Sequence, residues 1–178
     1  MSSFDPDPAL DSDSAPQRPS WDEYFVQLVP QVAGRATCDR GRSGCVVVRD
    51  HRLICSGYVG SPPGLPHCDD VGHLWRKVVE DDGSIRTHCV RTVHAEQNAI
   101  AQAAKYGLPL AGATVYCTME PCATCAMLLI GVGVAKVVAL RRYHAAQPSR
   151  DLLAAAGVEL MVWHDEDQLY SHQHEPAG

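Results

Sequence analysis

The sequence predicts an α/β protein of three layers, α/β/α, with helices on both faces of a central mixed sheet of five strands. Three observations carry that prediction. Two short apolar runs, residues 45–49 and 52–56, flank Asp50-His51, which is the form of a tight hairpin. From residue 93 to about residue 162, helical and strand patterns alternate, adding βαβαβ units to that hairpin. Within the first helical stretch, Ala95, Ala99 and Ala103 recur beside Ile100 and Ala104, a stripe of small residues that lets a helix lie close on a sheet.

Taken in order, the chain of 178 residues is 46% hydrophobic, about one domain's worth with enough apolar material for a core. Residues 1–19, with four Asp and few large apolar side chains, read as a disordered acidic arm. Structure is expected from Ser20, where Ser20-Trp21-Asp22-Glu23 has the form of a capping box. Trp21, Tyr24, Phe25, Leu28 and Val29 then follow at helical spacing, and Pro30 is placed to kink or end that helix. Residues 57–92, after the hairpin, contain Gly57, Gly60, Pro62, Pro63, Gly64, Pro66, Gly72 and Gly83 and show no sustained period. So long a connection is usually functional or tied down by something. Residues 93–106 form the small-residue helix, ended by Gly107. Residues 113–118 read as a strand, and Pro121 suits the first position of a helix running to about Val132. Residues 134–140 are the next strand, Ser149 can cap a short helix closing at Gly157, and residues 158–162 give the fifth strand. Residues 165–178 read as a flexible acidic tail containing histidines, which leaves residues 20–164 as the folded domain.

No run approaches the ~18 apolar residues of a membrane span, and the N-terminus lacks the basic and apolar regions of a signal peptide. A cytoplasmic protein without a membrane partner is expected. The net charge of −6 is concentrated at the ends. Removing the −3 of residues 1–20 and the −4 of residues 165–178 leaves +1 on residues 21–164. Such a core permits a pocket for a small phosphate and gives little support to a long nucleic-acid track. Eight cysteines and nine histidines, with no export signal to favour disulfides, point to metal binding or catalysis.

Two segments carry that chemistry: His94-Ala95-Glu96 at the start of one helix and Pro121-Cys122-Ala123-Thr124-Cys125 at the start of the next. Cys122 and Cys125, three apart, share one side of a first helical turn, where free N–H groups and the dipole favour thiolate. With His94 they make a Cys2His set that leaves the fourth tetrahedral position of zinc open to water, as in catalytic sites. Zinc lowers the pKa of such a water from about 15.7 toward neutrality. Glu96 is then free to act as the catalytic proton carrier. The bland alternative, a satisfied helix-start histidine and half of a structural zinc site, leaves that carboxylate unexplained.

The paired H-x-E and P-C-x-x-C segments are the signature of zinc nucleobase deaminases. From about Trp21 to Val162 the chain resembles the cytidine and deoxycytidylate deaminase superfamily, and within it the deoxycytidylate branch. The resemblance is carried also by Ala36-Thr37-Cys38-Asp39-Arg40, Gly57-Tyr58-Val59-Gly60, Gly64-Leu65-Pro66-His67-Cys68 and the run from His88 to Ile100. It implies a five-stranded deaminase sheet, one catalytic Zn2+, and hydrolytic deamination of dCMP to dUMP and ammonia, feeding dTMP synthesis. It further implies a homo-oligomer, dimer or hexamer, and dCTP and dTTP as effectors. Where that branch usually reads Gly-Tyr-Asn-Gly, this chain has Val59, which removes an amide expected to face nucleotide.

Cys38, Cys68, His73 and Cys89 lie in or beside the long connection, and a second, structural zinc on them would explain its order. Some members of the resembling branch carry one; the alternatives are buried free cysteines, or a ligand set in which His67 or His88 substitutes. Cys45, Cys55 and Cys117 sit in strands and are expected in the core. Arg35, Arg40 and Arg42 cluster before the first strand, with Arg40 in a family-like stretch, and are candidates for the substrate phosphate or for surface ion pairs. Tyr58, Val59 and Tyr143 are the remaining candidates for substrate or effector contact, Tyr143 being equally readable as an ordinary loop aromatic. His164, His172 and His174 read as tail residues. Two other functions share the motif: deamination of another base (a modified cytosine, guanine or a tRNA adenosine), and a non-catalytic zinc-held scaffold.

Overall fold

The computed structural model describes residues 17–79, 83 and 85–169. Its five-stranded sheet has the order β2-β1-β5-β6-β7, built from β1 (Gly44–Arg49), β2 (Arg52–Tyr58), β5 (Thr114–Met119), β6 (Lys136–Arg141) and β7 (Glu159–Val162). β1 is antiparallel to β2 and to β5, whereas β5, β6 and β7 run parallel, so the sheet is mixed as expected. The β1–β2 turn is made by Asp50 and His51, both with positive φ, the geometry that matches the twist of a two-residue hairpin. Neither is glycine, and the His51 ring stacks on Trp21 at 4.6 Å.

Two apolar clusters define the layers. Helix α1 (Trp21–Ala33) covers one face, packing Phe25, Val26 and Val29 on Val46, Val48, Tyr116 and Val138. The other face carries α3 (Ala95–Tyr106), α4 (Ala123–Gly131) and α5 (Gln147–Ala155), whose Ala95, Ala99, Ala103, Leu129 and Leu153 pack on Cys45, Val47, Val115, Cys117 and Val137. β1 is therefore buried on both sides, which explains its continuous apolar run. The small-residue stripe works as read: a Cβ on Gly57 would lie 2.1 Å from the Ala95 carbonyl oxygen, so α3 rests directly on β2 backbone.

Several local expectations are corrected. Pro30 does not end α1; the helix continues to Ala33 and caps at Gly34. Pro121 stands ahead of α4 rather than in it, because Cys122 is the N-cap. Ser149 lies inside α5, where its hydroxyl donates to the Ala146 carbonyl, and Pro148 occupies the first turn instead. The connection over residues 57–92 is not featureless: it holds a short helix, α2 (Cys68–Val71), and a two-stranded antiparallel ribbon of β3 (Trp75–Val79) and β4 (Ile85–Cys89). All of β3 is exposed, so no inside-outside alternation marks it in the sequence. Beyond β7, the Arg142 N–H donates to Glu166 and its carbonyl accepts from Gln168, which lays residues past 164 along the end of β6. His172, His174 and residues 1–16 of the arm lie outside the described residues.

Candidate metal and active site

The N-terminal ends of α3 and α4 meet at the end of the sheet where β5 finishes, and their caps are His94 and Cys122. His94 is placed from both sides. Its N–H donates to the Gln97 side chain at 3.1 Å, and the preceding Val93 exchanges backbone hydrogen bonds with Gly60. Asn98, one turn into α3, donates to the Tyr58 carbonyl at 2.8 Å and ties the helix to the end of β2.

His94 Nδ1 lies 3.6 Å from Cys122 Sγ and 3.5 Å from Cys125 Sγ. Zinc bonds of about 2.3 Å to sulfur and 2.0–2.1 Å to nitrogen, at a tetrahedral angle, put S and N about 3.6 Å apart. The three donors therefore fit that ion. His94 is exposed, Cys122 half-buried and Cys125 fully buried, so the cluster opens on one side. Contact with the Cys125 thiol, together with His94, outweighs burial and holds the Cys122 thiol down to about 4, whereas the same contact and burial push Cys125 up. Donating a hydrogen bond to the Cys122 thiolate raises the His94 imidazole, against the opposing effect of burial. Glu96, in the first turn of α3, is 8% exposed and is not a member of the donor cluster. Burial raises its carboxyl, with partial relief from the His94 charge. The arrangement is an incomplete metal-ligand set beside a buried carboxyl group able to carry a proton.

A second cluster brings together Cys38, Cys68, His73 and Cys89 within 4.8 Å of one another. Cys68 and Cys89 are 3.6 Å apart and Cys38 lies 3.7 Å from His73 Nδ1. The other nitrogen of His73 contacts Asp39 at 3.2 Å, the carboxylate support that metal-bound histidines receive. Burial pushes the Cys38 and Cys68 thiols up; it acts on Cys89 too, but there the backbone groups of Arg91 and Leu74, together with the Cys68 and Cys38 thiols, hold the group down.

The other candidates divide. Cys45, Cys55 and Cys117 are core residues, as expected. Arg40 lies over the Trp75 ring at 5.0 Å, beside the second cluster, and Arg42 donates to the Ala36 carbonyl and pairs with Asp69. The Tyr58 ring lies against Gly60, and Val59 is held through its backbone, donating to Ser43 and accepting from Thr37. Tyr143 follows β6 and donates its N–H to Glu120, whose side chain is also paired with Arg150. Glu120, Arg150, Asn98 and Asp39 escape sequence reasoning. Glu120 and Arg150 are thirty positions apart with no motif joining them, and only the Glu-Pro-Cys junction hints at a role.

Comparisons with known proteins agree with this geometry. The family model described as the cytidine and deoxycytidylate deaminase zinc-binding region matches residues 19–141. The chain is 39% identical over 142 residues to ComE operon protein 2 of Bacillus subtilis, spanning 80% of this chain and 70% of that one. It is 40% identical to the deoxycytidylate deaminase of Mycobacterium phage D29, over 68% of this chain and 94% of that one. A crystal structure of dCMP deaminase from the cyanophage S-TIM5 in complex with dCMP and dUMP superposes with a TM-score of 0.64 at 26% identity, covering 82% of this chain and 98% of that one. With the expected sheet and these likenesses in agreement, the chain belongs to the cytidine and deoxycytidylate deaminase family of zinc-binding proteins.

Proposed function

We propose that the chain hydrolyses the exocyclic C–N bond of dCMP, giving dUMP and ammonia and so feeding dTMP synthesis. One observation carries the reading: three donors at zinc-fitting separations, with a buried carboxyl beside them that is not a donor. His94, Cys122 and Cys125 would hold zinc, which when bound would supply Lewis-acid activation of a water nucleophile near neutral pH. Glu96 moves the protons, taking one from the attacking water, giving it to the ring nitrogen, and delivering the next to the departing ammonia. Burial suits it to this, because a raised carboxyl pKa brings proton uptake and release closer together in energy. The dCMP assignment is supported by the names of the relatives whose lengths the chain largely spans.

For the nucleotide, Tyr58, Val59, Tyr143 and Arg40 are the residues proposed to contact substrate or a dCTP or dTTP effector. A second zinc on Cys38, Cys68, His73 and Cys89 is proposed as structural, supported by the closed four-donor set and the Asp39 contact. A homo-oligomer, dimer or hexamer, is supported by Met127 and Leu128, which α4 leaves exposed. The test is ammonia release by the zinc-loaded protein from dCMP, deoxycytidine, guanine and tRNA in parallel. Turnover of dCMP with little from the others is the expected result; turnover confined to guanine or tRNA would overturn it.

A further inference from the structure

Glu120 stands between the end of β5 and the Cys122 turn, and none of its side chain is exposed. The Arg150 guanidinium grips both of its oxygens, Nε on Oε1 and a terminal nitrogen on Oε2, each at 2.7 Å. The Tyr143 N–H donates to Oε2 at 3.0 Å, and the Glu120 N–H donates to the Arg141 carbonyl at 3.1 Å. One carboxylate thus joins three pieces: the turn leading to Cys122, the turn after β6 that carries Tyr143 and His144, and α5. An apolar side chain of the same volume in place of Glu120 would fill this space without the cost of desolvating a carboxylate. What the ion pair adds is a planar, two-pronged geometry that leaves each partner one orientation.

We propose that Glu120 and Arg150 form a positioning clamp, fixing the Tyr143 turn against the Cys122 turn and so setting how tightly nucleotide is held, without touching metal or substrate. The inference rests on the reading that Tyr143 faces the nucleotide. It assigns a role to a buried carboxylate and its half-buried arginine partner, which neither ligate metal nor carry a proton in the reaction. The arrangement also explains why Tyr143, on a loop, has a defined place: its backbone is bonded to a side chain two residues from a metal ligand. Loops gain such precision only from support of this kind.

The test compares full-length, zinc-loaded R150M, R150K and Y143A with the unmutated protein, reading KM and kcat for dCMP separately, together with zinc content and melting temperature. R150M is expected to raise KM about tenfold or more while kcat stays within about threefold and zinc content is unchanged. R150K, which keeps the charge and loses the fork, should lie between. An R150M protein with a lower melting temperature and an unchanged KM would reduce the pair to simple structural support. Loss of zinc with a parallel fall in kcat would show that the pair acts on the metal instead. Should R150M fail to fold, R150K decides, and a KM equal to that of the unmutated protein overturns the clamp. If Y143A leaves KM unchanged while R150M raises it, the Tyr143 reading fails and the clamp stands, acting through another residue of the turn.

Discussion

Gly57 is a residue on which the close approach of α3 to β2 depends. A methyl group there would meet the Ala95 carbonyl oxygen at 2.1 Å and the Ala99 nitrogen at 2.5 Å, both rigid backbone atoms, so α3 would have to withdraw. Gly57→Ala is expected to cost about 3 kcal/mol, at the upper end of overpacking effects, and to weaken zinc binding because His94 caps the displaced helix. Melting temperature and zinc content measured together check this; unchanged zinc affinity in a destabilised variant would uncouple the contact from the site. Residues such as His94, Glu96, Cys122 and Cys125 are legible in sequence because their chemistry is encoded in local spacing, two and three positions apart. Gly57, Asn98 and the Glu120–Arg150 pair act across elements 30 to 42 positions distant, and no local pattern records a long-range contact.

At the scale of elements, strands with a buried face announce themselves and strands without one do not. β1, β5 and β6 were readable to within two residues because their apolar runs match burial on both faces. β3 was not readable, because every residue of Trp-Arg-Lys-Val-Val is exposed. A lone two-stranded ribbon is marginal in water, so this one needs an anchor. The second zinc proposed above would supply it at the ribbon's base, through Cys89 in β4 and His73 just before β3. Cys38→Ser, remote in sequence from the ribbon, is expected to lower zinc from two equivalents to one and to remove amide-exchange protection over β3 and β4. Metal analysis and hydrogen exchange would show this, and a ribbon still protected in the one-zinc protein would contradict it. Helix ends followed the same logic: Gly107 ends α3 with the positive φ expected of it, while Pro121 and Ser149 are each displaced by a few residues from the positions read for them.

At the scale of the whole molecule, the sheet order places His94, Cys122 and Cys125 where parallel strands end and two helix N-termini converge, a common location for ligand sites in α/β sheets. The antiparallel hairpin at the other edge gives α3 the floor on which it is set. On the outer surface, α4 exposes Met127 at 53% and Leu128 at 41%, and Met127→Asp is expected to lower the sedimentation coefficient by breaking the proposed self-association. An unmutated protein that sediments as a monomer would contradict that proposal. The division of labour between ligands and proton carrier is tested most directly by dUMP formation from dCMP with zinc-loaded protein and Glu96→Gln side by side, zinc content being measured on both. Equal zinc with turnover reduced about 10²–10⁴-fold in the variant is the predicted result. Undiminished turnover in the variant, or loss of its zinc, would show that Glu96 is not the proton carrier beside a three-ligand site.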